Sequence, residues 1–136
     1  MKKTFEKVDN KILKALPNPS DKTYEIKIKN PELTFLGVYD QPDFASLYIL
    51  FYPNKKIIEL KSLKNYLHQY RNIIISYERL INIVYEDLIK VYEPSRLRLV
   101  LDCNPRGGIS SRLTQDSDWK SLGGDEKYSG YEEIIW

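Results

Sequence analysis

Glu59-Leu60-Lys61-Ser62-Leu63-Lys64-Asn65-Tyr66 is the stretch on which the fold turns, because the apolar period changes here from two to three or four. Leu63, Leu67 and Tyr70 follow at helical spacing, and Ser62 is the expected N-cap. Lys61 and Lys64 stand three apart, so on a helix their ammonium groups share a face. Two lysines beside a helix N-terminus suit an anion, most naturally a phosphate, because their charge acts together with free backbone N–H groups. Taken alone, the same pattern fits a solvated helix face.

On the N-terminal side, Phe44 to Tyr52 reads as a strand that stops at Pro53-Asn54-Lys55-Lys56, where Pro fixes φ and Asn tolerates the left-handed region. Before it, Tyr24, Ile26 and Ile28 alternate with Glu25, Lys27 and Lys29, which predicts a strand buried on one face and ended by Pro31. The charged residues 1 to about 20 close on Leu16-Pro17-Asn18-Pro19-Ser20, the pattern of an arm rather than a core element. On the C-terminal side, Ser76 is the expected cap of a second helix with Leu80, Val84, Leu88 and Val91 on one stripe, ended by Pro94. Leu97, Leu99 and Leu101 then alternate with Arg96, Arg98 and Val100 in a third strand. Gly107-Gly108 breaks it, and residues 109 to 115 read as a fourth. The order is ββααββ.

At 136 residues the chain has room for one domain with a single core. Its 21 basic residues against 19 acidic ones leave a net charge of +2, which argues against a nucleic-acid surface. The lysine-rich start lacks a following apolar run, so no signal peptide is expected, and no stretch is long enough for a membrane span. One cysteine, Cys103, fits a reducing, cytoplasmic setting; in phase with the leucines of its strand, it is expected in the core as a protonated thiol. His68 is the single histidine, so no metal site is expected.

Eighteen residues before Glu59 the chain reads Gln41-Pro42-Asp43-Phe44-Ala45, and downstream it reads Asn104-Pro105-Arg106-Gly107-Gly108-Ile109-Ser110. Together with Glu59 to Tyr66 these blocks resemble the QueF family, the NADPH-dependent nitrile reductases of queuosine biosynthesis. That family pairs a Gln-Pro-Asp-Phe-Ala block with a Glu-(Ser/Leu)-Lys-(Ser/Ala)-x-Lys-x-aromatic cofactor motif. The resemblance covers roughly residues 23 to 119, which leaves an arm at 1–22, a domain at 23–119 and a tail at 120–136. It implies the α+β tunnelling fold (T-fold), with an antiparallel four-stranded sheet and two helices on one face. Open sheet edges invite pairing, so closure into a barrel by self-association, a homo-oligomer, is expected. The apolar end of the tail, Ile134-Ile135-Trp136, is expected to dock onto a neighbour.

The resemblance implies an oxidoreductase that uses NADPH to reduce 7-cyano-7-deazaguanine, and it assigns roles residue by residue. Glu78 matches the glutamate that anchors the guanine-like edge, where a fixed carboxylate accepts two parallel N–H bonds. Tyr77 stands where the family has a histidine; it can stack or donate one hydrogen bond but does not titrate near neutral pH. Asp43 matches the general acid, a role that burial beside Phe44 would suit, since burial favours a neutral carboxyl group. Glu59, Lys61, Ser62 and Lys64 match the cofactor motif, and Arg106 is a further phosphate contact. The family's nucleophilic cysteine, five positions before Gln41, is here Leu36, which offers no nucleophile. Two readings follow: a QueF-type enzyme of diverged chemistry on a 7-deazaguanine-type or purine-like ring, or a non-catalytic T-fold protein or partner subunit that binds a 7-deazaguanine or pterin-like ring without transforming it.

Overall fold

The computed structural model describes residues 3–118. The tail at 120–136, with its expected docking cluster, lies outside the described residues.

Four long strands carry the architecture: β3 (Ile26–Leu36), β4 (Pro42–Tyr52), β7 (Arg96–Arg106) and β8 (Ile109–Asp116). They are neighbours in that order and antiparallel throughout. Two dipeptide strands, β1 (Lys3–Thr4) and β6 (Ile73–Ile74), extend the sheet in parallel beyond β3, giving six strands in the order β1-β6-β3-β4-β7-β8. Helices α1 (Leu60–His68) and α2 (Tyr77–Tyr92) lie between the two strand pairs in sequence and cover one face. The expected α+β order ββααββ is therefore present, with short strands added.

Alternation sets the core. Leu33 and Phe35 of β3, Asp43, Ala45, Leu47, Ile49 and Phe51 of β4, and Leu97, Leu99, Leu101 and Cys103 of β7 are all buried. The apolar members pack against Leu63, Tyr66 and Leu67 of α1 and Leu80, Val84 and Leu88 of α2. The stripe on α2 follows the expected phase, although Tyr92 rather than Val91 is its buried end.

Pro31 does not end its strand. The register between β3 and β4 shifts between Asn30 and Leu33, so the residue without an N–H sits in a bulge, where no ladder bond is demanded of it. Arg98, expected on a polar face, is buried; its register partner Asp116 is buried too, and the guanidinium lies 3.5 Å from that carboxylate. The first residues stay outside the four long strands but do not project as a free arm. Leu13 is in the core, and β2 (Ala15–Pro17) pairs with β5 (Lys56–Ile58). Asn10 donates to Asp87 Oδ1 at 3.0 Å, and the Tyr92 hydroxyl donates to the Lys14 carbonyl at 2.8 Å. Charge in this segment thus coats a docked strap.

Helix α1 begins one turn earlier than the Ser62 cap would set it. Glu59 is the N-cap, its carboxylate accepting from the Ser62 N–H at 2.8 Å and the Lys61 N–H at 3.1 Å. Ser62 lies inside the first turn, buried, donating to the Glu59 carbonyl and accepting from the Lys14 N–H. Ser76 caps α2 as expected, accepting from the Arg79 N–H. The helix ends at Glu93 in the left-handed region, ahead of Pro94.

Candidate functional site

Chain direction builds the site at the end of the sheet where β3 turns into β4. Gly37 donates to the Gln41 carbonyl and accepts from the Asp40 N–H, both at 2.7 Å, which closes a tight loop with Asp40 at φ 63°. This loop pairs Phe35 with Asp43 and Leu36 with Pro42. Paired residues of an antiparallel ladder share a face, so Phe35, Asp43 and, by alternation, Gly37 look toward the helices. Leu36 looks the other way.

Tyr77, the first residue of α2, reaches the same spot. Its ring meets Phe35 edge to face at 5.7 Å, and its hydroxyl donates to Asp43 Oδ2 at 2.8 Å. Burial, then the hydrogen bond to Asp43, pushes the Tyr77 phenol up to about 12. Asp43 also accepts from the Phe44 N–H at 3.1 Å. Phe44 itself is exposed on the opposite face, so Asp43 is buried by the Phe35–Tyr77 side and not, as expected from sequence, by its neighbour.

Arg106 arrives from the turn between β7 and β8. The register between those strands shifts between Cys103 and Arg106, and the Arg106 guanidinium lies 3.6 Å from Asp43 Oδ1 and donates to the Pro42 carbonyl at 3.0 Å. A cavity of about 310 Å³ results, lined among others by Gly37, Gln41, Asp43, Tyr77, Glu78 and Arg106. Glu78 is exposed at its edge, and its carboxylate has no partner among the described residues. Cys103 lies beneath the site on β7, buried, its thiol pushed up to about 11 chiefly by that burial.

Four expected site residues, Asp43, Tyr77, Glu78 and Arg106, thus converge. Leu36 is not among the cavity's residues, and the position facing Asp43 is Gly37. Arg106, read from sequence as a phosphate contact, stands on the Asp43 side. The period-two parity of β3, counted across the loop from Asp43, is the signal that singles out Gly37.

The cofactor motif lies elsewhere. Lys61 and Lys64 are exposed on α1, but the Glu59 carboxylate already takes up N–H groups of the first turn, so any anion there is held by the lysine side chains. A groove of about 250 Å³ between β3 and α1 is lined by Lys29, Pro31, Leu60, Lys64, Leu67 and His68 among others. Its cationic and apolar lining fits a phosphate joined to a flat ring. Pro31, the groove residue on β3 nearest the cavity, stands six residues before Gly37, at most roughly 20 Å along a strand, so groove and cavity occupy separate stretches of it.

Residues 42–121 match the family model described as QueF-like protein. Over 107 residues the chain is 41% identical to the NADPH-dependent 7-cyano-7-deazaguanine reductase of Prochlorococcus marinus, covering 77% of this chain and 78% of that one. The reductase of the same name from Thermomicrobium roseum is 40% identical over 107 residues, 77% of this chain and 84% of that one. That of Exiguobacterium sibiricum is 43% identical over 101 residues, 73% of this chain but 62% of the longer relative. Among solved structures, the archaeosine synthase QueF-Like in its apo form superposes with a TM-score of 0.62 over 72% of this chain and 95% of that one, at 14% identity. That likeness establishes a shared fold.

Proposed function

This chain belongs to the QueF-like protein family, and from that premise we propose that it is an NADPH-dependent oxidoreductase acting on 7-cyano-7-deazaguanine or a closely related 7-deazaguanine ring. The observation that carries the reading is the convergence of Asp43, Tyr77, Glu78 and Arg106 on one cavity. Glu78, with an unpartnered carboxylate, accepts the ring N–H and exocyclic amine of a guanine-like edge. Asp43 passes a proton to the substituent nitrogen, held in place by the Tyr77 hydroxyl and Arg106.

NADPH, when bound, supplies hydride to the substituent carbon. Lys61 and Lys64 hold its phosphates, and the groove beside Lys64 takes an apolar ring face. Glu59 and Ser62 serve the motif by closing the helix that presents the lysines. In this reading the groove, against the middle of β3, and the cavity, at its C-terminal end, come together from two copies of the chain. Strand β8, with a single neighbour in the sheet among the described residues, supplies an edge for that assembly.

A second reading keeps the ring and drops the reaction. It is favoured by one observation: neither Leu36 nor Gly37 carries a nucleophile. Calorimetry with 7-cyano-7-deazaguanine, followed by the loss of NADPH absorbance on mixing, separates the two. Binding with turnover supports the enzyme; binding without turnover leaves the ring-binding protein; no binding of the ring removes both.

A further inference from the structure

The loop that opens the cavity contains a polar side chain in an unusual position. A Cβ added to Gly37 would stand 2.4 Å from Gln41 Nε2 and 3.4 Å from Asp43 Oδ2. The Gln41 carboxamide therefore fills, beside Asp43, the space that glycine leaves empty. Its Nε2 is the atom nearest that space, and the Asp43 carboxylate borders it. Its Oε1 is buried and accepts no hydrogen bond among the described residues. A buried acceptor without a donor is costly, and such groups are rare outside sites that receive a ligand or water.

We propose that Gln41 is the specificity-determining residue of this cavity, its carboxamide oxygen reserved for an N–H on the substituent of the bound ring. This rests on the 7-deazaguanine reading given above and names what that reading leaves open. A nitrile nitrogen is an acceptor only, so it finds no partner in Gln41 Oε1. Once hydride reaches the nitrile carbon and a proton reaches its nitrogen, the substituent carries an N–H, and the amine formed by the second reduction carries more. The terminal torsion of glutamine is broad, so turning the oxygen toward that donor costs little. Gln41 then grips the ligand more tightly as reduction proceeds, the differential binding that favours a reaction over mere occupancy. Gly37 is the condition for this arrangement, since any side chain at that position displaces the carboxamide.

Calorimetric titration of the full chain with 7-deazaguanine, 7-cyano-7-deazaguanine and 7-aminomethyl-7-deazaguanine tests the assignment. The unmodified protein is expected to bind the aminomethyl ring at least ~10-fold more tightly than the cyano ring, about one hydrogen bond to a charged donor. Gln41→Leu is expected to erase that preference while leaving the unsubstituted ring within ~2-fold, and Gln41→Glu to keep it. Gly37→Ala, which expels the carboxamide without touching its chemistry, is expected to act as Gln41→Leu does. A preference for the nitrile, or a preference for the amine that survives both Gln41→Leu and Gly37→Ala, overturns the proposal alone. Failure of the unmodified protein to bind any of the three rings overturns the 7-deazaguanine reading and this assignment with it.

Discussion

The Tyr77 hydroxyl donates to Asp43 Oδ2 at 2.8 Å, tying the first turn of α2 to the second residue of β4. It is a direct bond between the helix that carries Glu78 and the strand that carries the acid. Tyr77→Phe removes the donor and keeps the ring against Phe35. Thermal unfolding is expected to show a loss of about 1 kcal/mol, with ring affinity falling because Glu78 and Asp43 are no longer held in register. An unchanged melting point together with unchanged affinity would show that the bond is incidental.

The same bond has a sign in pH. A phenol whose folded value is raised contributes stability that is present below its unfolded value and lost as pH rises through the folded one. Tyr77, Tyr92 and Cys103 are pushed up to about 12, about 12 and about 11, each chiefly by burial. Unfolding free energy is therefore expected to fall steeply between about pH 9 and 12, and Tyr77→Phe to make the upper part of that fall shallower. A flat profile in urea titrations across this range would contradict the burial of these groups.

A second tie holds the N-terminal strap. The Tyr66 hydroxyl donates to Asp87 Oδ2 at 2.5 Å and shares a 2.8 Å bond with the Tyr70 hydroxyl, while Asn10 donates to the other Asp87 oxygen. Tyr66 and Tyr70 are fully buried. Asp87→Ala strands two buried hydroxyls with only each other, at an expected cost of about 1–3 kcal/mol. Asn10→Ala removes a more exposed contact and is expected to cost less, releasing residues 3–17 to limited proteolysis before the body unfolds. Equal losses from the two variants would mean that the strap and the tyrosine pair unfold as one unit.

Much of this was legible in the chain, and what was not has physical causes. Local period gave the four long strands and both helices, because alternation and the stripe Leu80–Val84–Leu88 are set by burial on one face. Family motifs named Asp43, Tyr77, Glu78 and Arg106, which meet at one cavity. Several of the differences lie where pairing across the sheet decides. Pro31 continues its strand because the ladder shifts around it, and Arg98 is buried because Asp116 stands opposite; that Gly37 faces Asp43 is likewise set by the parity of the loop. Ser62 yields the cap to Glu59 because a carboxylate three residues ahead reaches two N–H groups at once. The three strand features are not written in a single window of sequence, whereas the Glu59–Ser62 exchange lies within one turn.

That last exchange separates two roles inside the cofactor motif. Glu59 is held below the usual carboxylate range, first by the Ser62 N–H and then by further donors in the same turn. Its contribution to stability is present above the unfolded carboxylate value and is lost as pH falls through the lower folded one. Glu59→Ala is expected to lower the melting point at neutral pH by a few degrees, and the gap to the unmodified protein to close in acid. Lys61→Ala and Lys64→Ala are expected to leave the melting point alone and to weaken NADPH in fluorescence titration by ~5–10-fold each. Lysine variants that bind NADPH normally would remove the motif from the cofactor site.

The unmodified chain is expected to form no covalent adduct with 7-cyano-7-deazaguanine, because Leu36 and Gly37 carry no thiol and the Cys103 thiol is buried and protonated at neutral pH. Installing a cysteine then reads out which position faces the acid. Leu36→Cys puts the thiol on the face of β3 turned away from Asp43 and is expected to stay unmodified. Gly37 has no positive φ, and the nearest obstacle to a side chain is the end of flexible Gln41, so Gly37→Cys fits when paired with Gln41→Ala. There the thiol gives up its proton, the sulfur adds to the nitrile carbon, the triple bond becomes double, and the nitrogen takes a proton from Asp43, which the proton lost by the thiol replaces through solvent. Intact mass is expected to rise by the mass of the whole nitrile, since nothing leaves, and Asp43→Asn in that background is expected to slow the gain ~100-fold. An adduct on Leu36→Cys but not on the Gly37→Cys, Gln41→Ala protein would reverse the assignment of faces and, with it, the position of Gln41 beside the acid.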